Sequence, residues 1–313
     1  MQIGLAELVQ EKKHAAPAGH PENAHRVSFA LDHVRKSDLG SKLVFWRPTG
    51  TDPSSIIDRV HDPKYISFLR QIAANGGGYL DGDTYVTSGS FEAAWETAAA
   101  AAEGVGEIIS GKIKRIMLAG RPPGHHAEHQ RGMGFCLINN TAVAAEAAVV
   151  NYHLERVAVI DWDVHHGNGT QHMFYDRPDV FYISLHRFPF YPGSGATSER
   201  GSGKGEGYTL NIPLPQGTGG DAYMYAFTEI ISPALKKYEP QIIIITAGFD
   251  AHRDDPLGGM NLGGETFGEM TKILVGLAEK YCDGKIFSLF EGGYSPSGNA
   301  ESLYFHLMEL SRK

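Results

Sequence analysis

Five apolar runs punctuate the chain: Arg115-Ile-Met-Leu-Ala119, Val157-Ala-Val-Ile160, Val180-Phe-Tyr-Ile-Ser-Leu185, Gln241-Ile-Ile-Ile-Ile-Thr246 and Lys285-Ile-Phe-Ser-Leu-Phe290. Short, β-branched and with little polar alternation, they predict strands buried on both faces. The segments 91–109, 141–153 and 222–238 are rich in helix formers and predict helices. Strands alternating with helices give an α/β fold, a mostly parallel sheet flanked by helices on both faces. With no internal repeat and no linker to split it, residues 1–313 are expected to form a single domain. Gly201-Ser-Gly-Lys-Gly-Glu-Gly207 has the composition of a phosphate loop. It lacks the Gly-Lys-Ser/Thr ending and precedes a strand rather than a helix, so phosphate binding is not assigned.

Open α/β sheets bind ligands at the carboxyl ends of their strands. Four runs end in polar residues: Arg121-Pro-Pro-Gly-His-His126, Asp161-Trp-Asp-Val-His-His166, Ala247-Gly-Phe-Asp250 and Glu291-Gly-Gly-Tyr294. Strand alternation would put Asp161, Asp163 and His165 on one side and Trp162 and Val164 on the other. Buried carboxylates and an imidazole packed together are costly without a cation. Asp163 and His165 can supply two ligands to a divalent ion and Asp250 a third, leaving an open position for water or substrate. Such oxygen and nitrogen donors suit zinc and also accept iron, cobalt or manganese.

The remaining polar residues handle protons. The stiff Pro122-Pro123-Gly124 turn fixes the directions of His125 and His126. Asp161, spare of the metal, can hold His125 and raise its basicity, while the neutral amide of Asn168 can orient His126. His126 is then the better general base and His125 the better cationic stabiliser. Tyr294, in a loop made mobile by Gly292 and Gly293 before it, can donate to a polarised carbonyl. Together these groups describe metal-assisted amide hydrolysis. Cys136 is expected to pack near the site rather than react.

Composition narrows the class. Apolar residues make up 42% of the 313, an ordinary globular fraction. The formal charge of −8, without a basic run, argues against nucleic acid as a direct ligand. Two cysteines give no disulfide framework. No stretch reaches membrane-spanning length, and residues 1–7 lack a signal-peptide layout. A cytoplasmic protein without a membrane partner is expected; a homo-oligomer stays open.

In these segments the chain resembles the zinc-dependent histone deacetylase family, closest to its class II branch and bacterial relatives, which share the arginase/deacetylase fold. The matching segments are His20-Pro-Glu-Asn23, Arg121–Ala127, Gly134-Phe-Cys136, Asp161–Thr170, Ser184-Leu-His186, Ala247–Asp250 with Asp255-Pro256, and Glu291–Tyr294. The resemblance implies zinc on Asp163, His165 and Asp250, tandem histidines at His125 and His126, and a carbonyl-polarising phenol at Tyr294. It implies Phe135 and Tyr191 as walls of an acyl-lysine tunnel, with tyrosine where phenylalanine is usual, and the Gly134 carbonyl facing the substrate amide. Structural potassium is implied near Asp161, Ser184 and the backbone of Leu185, beside Asp163 and His165. A second potassium is implied on carbonyls around Phe174, Arg177, Val180 and Tyr208.

Asn168 stands where class I relatives carry aspartate. Leu257 stands where a related polyamine-deacetylase branch carries a glutamate, which favours an acetylated lysine peptide or similar neutral-stemmed amide as substrate. Asp83 or Thr84 is the expected stand-in for an acidic contact at the tunnel rim. An acylpolyamine or small-molecule amidase would use the same centre. Ureohydrolase chemistry would need more bridging aspartates for a second metal. A decayed acyl-lysine binding module would not be expected to keep all the catalytic residues.

Overall fold

The structure is a computed structural model and describes residues 2–312. Ten strands occur among those residues: β1 (Ile3–Leu8), β2 (Leu43–Phe45), β3 (Gly77–Tyr79), β4 (Tyr85–Thr87), β5 (Arg115–Gly120), β6 (Val157–Asp161), β7 (Val180–Arg187), β8 (Thr209–Leu214), β9 (Ile242–Ala247) and β10 (Ile286–Phe290). Eight form one sheet in the order β2-β1-β5-β10-β9-β6-β7-β8. Every pairing in it is parallel. β3 and β4 make a separate antiparallel hairpin.

The alternation of side chains along each strand divides the core in two. Ile243, Ile245 and Ala247 of β9 join one buried cluster, whereas Ile242 and Ile244 join the other. Ala158 and Ile160 of β6 face the first cluster, and Val157 and Val159 the second. Helices therefore cover both faces, as a continuous apolar run requires. The alanine-rich helix Ser90–Ile109 packs tightly on the sheet: a Cβ at Gly104 would come 2.7 Å from the Phe287 ring.

Three sheet strands lie outside the five expected runs. β2 has only three residues, β1 carries Gly4 and Glu7, and the edge strand β8 interleaves Thr209, Asn211 and Pro213 with apolar residues. The helix expected over 222–238 is present, with a π-helical stretch at Ala226–Ile231 between Gly220–Tyr225 and Ser232–Tyr238. Pro233 has no N–H to donate, and Ser232 Oγ returns a hydrogen bond to Phe227 O at 2.7 Å.

β5, β10, β9 and β6 are consecutive in the sheet, though dispersed in sequence. These are the four strands whose ends carry the candidate residues.

Candidate active site

β6 ends at Asp161, yet the alternation continues into the following turn. Trp162 and Val164 enter the same cluster as Ala158 and Ile160, which turns Asp161 and Asp163 to the opposite side. His165 Nδ1 lies 3.1 Å from Asp163 Oδ1 and 3.2 Å from Asp250 Oδ2. The three potential ligand atoms are all within 4.8 Å of one another.

Backbone amides aim the carboxylates. Asp163 Oδ1 accepts the His165 N–H at 2.9 Å, and its Oδ2 accepts the Gly292 N–H at 2.8 Å. Asp250 Oδ1 accepts the Val164 N–H at 2.8 Å. Asp250 Oδ2 is buried without a hydrogen-bond partner. Side chains at Gly248 or Gly292 would collide with these carboxylates. Burial and the Asp163 charge push Asp250 up to about 7. Burial opposes the charged form of His165, but Asp163 and Asp250 outweigh it and push His165 up to about 9. A buried, partnerless carboxylate oxygen facing a second carboxylate and an imidazole fits a divalent cation.

The tandem histidines descend from β5 and sit side by side, ring centroids 4.0 Å apart. His125 Nδ1 is 3.1 Å from Asp161 Oδ2, which also accepts the Tyr182 hydroxyl at 3.0 Å. His126 Nδ1 is 2.8 Å from Asn168 Oδ1. Burial disfavours charge on both rings. At His125 the carboxylates of Asp163 and Asp161 overcome it and push the imidazole up to about 10. At His126 burial, then the charges of His125 and His165, hold the imidazole well below its usual range. The two environments push the adjacent histidines in opposite directions, one toward the cation and one toward the neutral ring.

Glu291 reaches across from β10, its Oε2 accepting the N–H of Gly124 at 2.6 Å and of His125 at 3.2 Å. It thereby fixes the turn that carries both histidines. The sequence places Glu291 at a strand end but gives it no role, because its partners follow another strand.

Tyr294 follows two glycines that the sequence suggests are mobile; the structure corrects this. Gly292 is tied to Asp163, and the Gly293 carbonyl accepts from Asn299 Nδ2 at 2.8 Å. The Tyr294 N–H is bound by Asp255 Oδ2 at 2.6 Å. Gly292 is needed for close approach to the carboxylates, not for motion. Burial holds the Tyr294 phenol well above its ordinary range, so it keeps its proton. Arg26, a residue not singled out from sequence, places its guanidinium 5.5 Å from the Tyr294 ring and donates to Glu291 O at 2.8 Å. Buried Glu22 anchors that arginine and binds Arg121 through both carboxylate oxygens, at 2.6 and 2.8 Å.

Gly134 and Phe135 occupy a tight turn with φ of 57° and 68°. Met133 and Cys136 exchange backbone hydrogen bonds around it, and Thr84 Oγ1 accepts the Phe135 N–H at 3.0 Å. This turn sets Phe135 edge-to-face with Tyr294, centroids 5.8 Å apart. Tyr191 stands edge-to-face with His126 at 5.1 Å and is 41% exposed. Phe190, not proposed from sequence, stacks on His165 at 5.1 Å.

Thr84 is fully buried with its hydroxyl occupied, which removes it as a rim contact; Asp83 is exposed. Leu257 is 37% exposed, its N–H bound to Asp255 Oδ1 at 2.9 Å. Cys136 is buried and its thiol is pushed well up by burial, in keeping with packing rather than reactivity.

The residues that the resemblance implies for potassium fall in two groups. Asp161 and Ser184 are register partners across β6 and β7, with Leu185 following. Phe174 O accepts the Arg177 N–H at 3.1 Å, and Tyr208 O accepts the Tyr182 N–H at 3.0 Å, two residues beyond Val180.

The histone deacetylase domain family model matches residues 20–310. The chain belongs to the histone deacetylase family. A probable deacetylase of Archaeoglobus fulgidus is 38% identical over 300 residues, covering 95% of this chain and 83% of the relative. A histone deacetylase-like amidohydrolase of Pseudomonas aeruginosa is 40% identical over 286 residues, covering 90% and 74%. The crystal structure of the HDA15 HD domain matches with a TM-score of 0.92 at 33% identity, over 99% of this chain and 90% of that one. The expected arginase/deacetylase fold is therefore the observed one, and the chain is a hydrolase of the histone deacetylase family. Among the described residues no helix is long and apolar enough to cross a membrane.

Proposed function

We propose that this histone deacetylase-family hydrolase is a zinc-dependent amidohydrolase, one unit over residues 1–313, that removes acetyl or other acyl groups from lysine side chains or related amines. The observation that carries the reading is the convergence of Asp163, His165 and Asp250 beside two histidines, one held by the Asp161 carboxylate and the other by the Asn168 amide. Asp163, His165 and Asp250 would hold the ion, which would supply Lewis acidity for activating water and polarising the scissile carbonyl.

The chain's own residues do the rest. With its Nδ1 held at the Asn168 Oδ1, His126 takes the water's proton at Nε2 and passes it to the leaving amine. His125, kept cationic by Asp163 and Asp161, and the protonated Tyr294 stabilise the oxyanion. Phe135 and Tyr191 flank the acyl-amine stem, and the Gly134 carbonyl accepts its N–H. Potassium at the two groups above would brace β6 and β7.

One observation favours a second reading, acylpolyamine deacetylation. Asp81 and Asp83 are exposed on the β3–β4 connection and would attract a second, cationic amine. Leu257 opposes it. Turnover by the zinc-loaded protein of acetyl-lysine peptides and acetylpolyamines tests both. Faster peptide hydrolysis supports the first reading and faster polyamine hydrolysis the second. Hydrolysis of neither class, with zinc bound, overturns both.

A further inference from the structure

Asparagine is an ambiguous partner for a general base. Its two ends are nearly isosteric, but one accepts a hydrogen bond and the other donates. If Asn168 turned its NH2 toward His126, that ring would keep its proton on Nε2 and could not take one there. Something must select the end.

The selector is on the neighbouring turn. Asn168 Nδ2 donates a short hydrogen bond to Glu128 Oε1, leaving Oδ1 to face His126 Nδ1 at 2.8 Å. A carboxylate only accepts, so it admits only the NH2 end. The alternative acceptors of Nδ2 are weaker: His126 O at 3.4 Å is at the limit of bonding distance, and Met133 Sδ at 3.5 Å is a thioether. Glu128 is itself held in place. His172 stands one turn after Asn168 on the helix Asn168–Phe174 and places Nδ1 2.7 Å from Glu128 Oε2. His172 is half exposed and Asn168 is buried, so the chain His172–Glu128–Asn168–His126 runs from the surface to the base.

We propose that Glu128 is a positioning residue that sets the His126 tautomer through Asn168, with His172 steadying it. The inference rests on the general-base reading of His126, yet its first readout is independent of activity. The test uses the zinc-loaded protein and its Glu128→Leu, Glu128→Leu/Asn168→Asp and His172→Ala variants. Imidazole nitrogen shifts by NMR report the His126 tautomer, and steady-state kinetics on an acetyl-lysine peptide report the rest.

The wild type should hold the proton on Nδ1. Glu128→Leu should populate the Nε2–H form and lower kcat roughly tenfold with KM little changed, a part of the 10²–10⁴ that a positioned base supplies. Asn168→Asp, whose carboxylate has no wrong end, should restore the Nδ1–H in the Glu128→Leu background, while its charge also favours the imidazolium and leaves kcat low. His172→Ala should have the smaller effect. An unchanged tautomer in Glu128→Leu, or an Nδ1–H that Asn168→Asp does not restore, overturns the proposal. A wild type with the Nδ1–H tautomer but no turnover supports the positioning role and overturns the functional reading instead.

Discussion

The N–H of Gly292 donates to Asp163 Oδ2 at 2.8 Å, joining the end of β10 to the turn after β6. At this distance there is no room for a side chain: a Cβ on Gly292 would overlap the carboxylates of both Asp163 and Asp250. Gly292→Ala should weaken zinc binding by about 10–100-fold, the scale of lost support around a metal ligand. Gly276→Ala, where a Cβ meets nothing within 4 Å, should leave zinc binding unchanged. Competition with a zinc-binding dye measures both, and equal affinities for Gly292→Ala and wild type would show that the carboxylates are not the ligands.

His125 and His126 share a turn but not a role. His126→Ala should lower turnover by at least ~10²-fold while zinc stays bound. Near-wild-type turnover in the zinc-replete variant removes the base assignment.

The strand-end residues were legible because their spacing is local. Asp163 and His165 are two apart, and the isoleucine run before Asp250 announces a buried strand. The adjacency of β5, β10, β9 and β6 was not legible, since strand order follows from how the crossovers pack. Glu291, Arg26, Glu22 and Phe190 had no role legible in the sequence for the same reason: each acts on a residue from a different element. β8 was missed because its polar residues break the apolar run at the sheet edge. The glycines around Tyr294 suggest freedom in sequence, and only the carboxylates behind Gly292 reveal that they are there for space.

Burial of neutral histidines makes the fold acid-sensitive. It lowers His61 and His186 to about 4 and His306 to about 3. In the unfolded chain each titrates near 6.5, so between about 6.5 and 4 the unfolded state binds more protons. Their contribution to stability is complete above about pH 6.5 and is lost as pH falls below it. Each should add about 1.4 kcal/mol per pH unit to the slope within that window. His306, between Thr271 Oγ1 at 2.6 Å and Ser288 Oγ at 2.9 Å, is the cleanest to test. Urea unfolding at pH 5 and 6 should show His306→Gln with a shallower slope by about that amount, and an identical slope contradicts the assignment.

Leu257 offers an apolar side chain on the turn that also holds Tyr294 through Asp255. Leu257→Glu should shift the ratio of acetylpolyamine to acetyl-lysine turnover toward the cationic amine by about tenfold, the effect of roughly 1.4 kcal/mol. An unchanged ratio means that this position does not read substrate charge.

The claim on which the mechanism stands is a single divalent ion held by Asp163, His165 and Asp250. Metal content after zinc loading and dialysis tests it most directly, measured on wild type and on Asp250→Ala. One zinc per wild-type chain should be retained and then lost in Asp250→Ala, with an affinity drop beyond the roughly 10–100-fold of a supporting residue. A wild-type chain that retains no zinc, or an Asp250→Ala chain that holds it as tightly as wild type, contradicts the account.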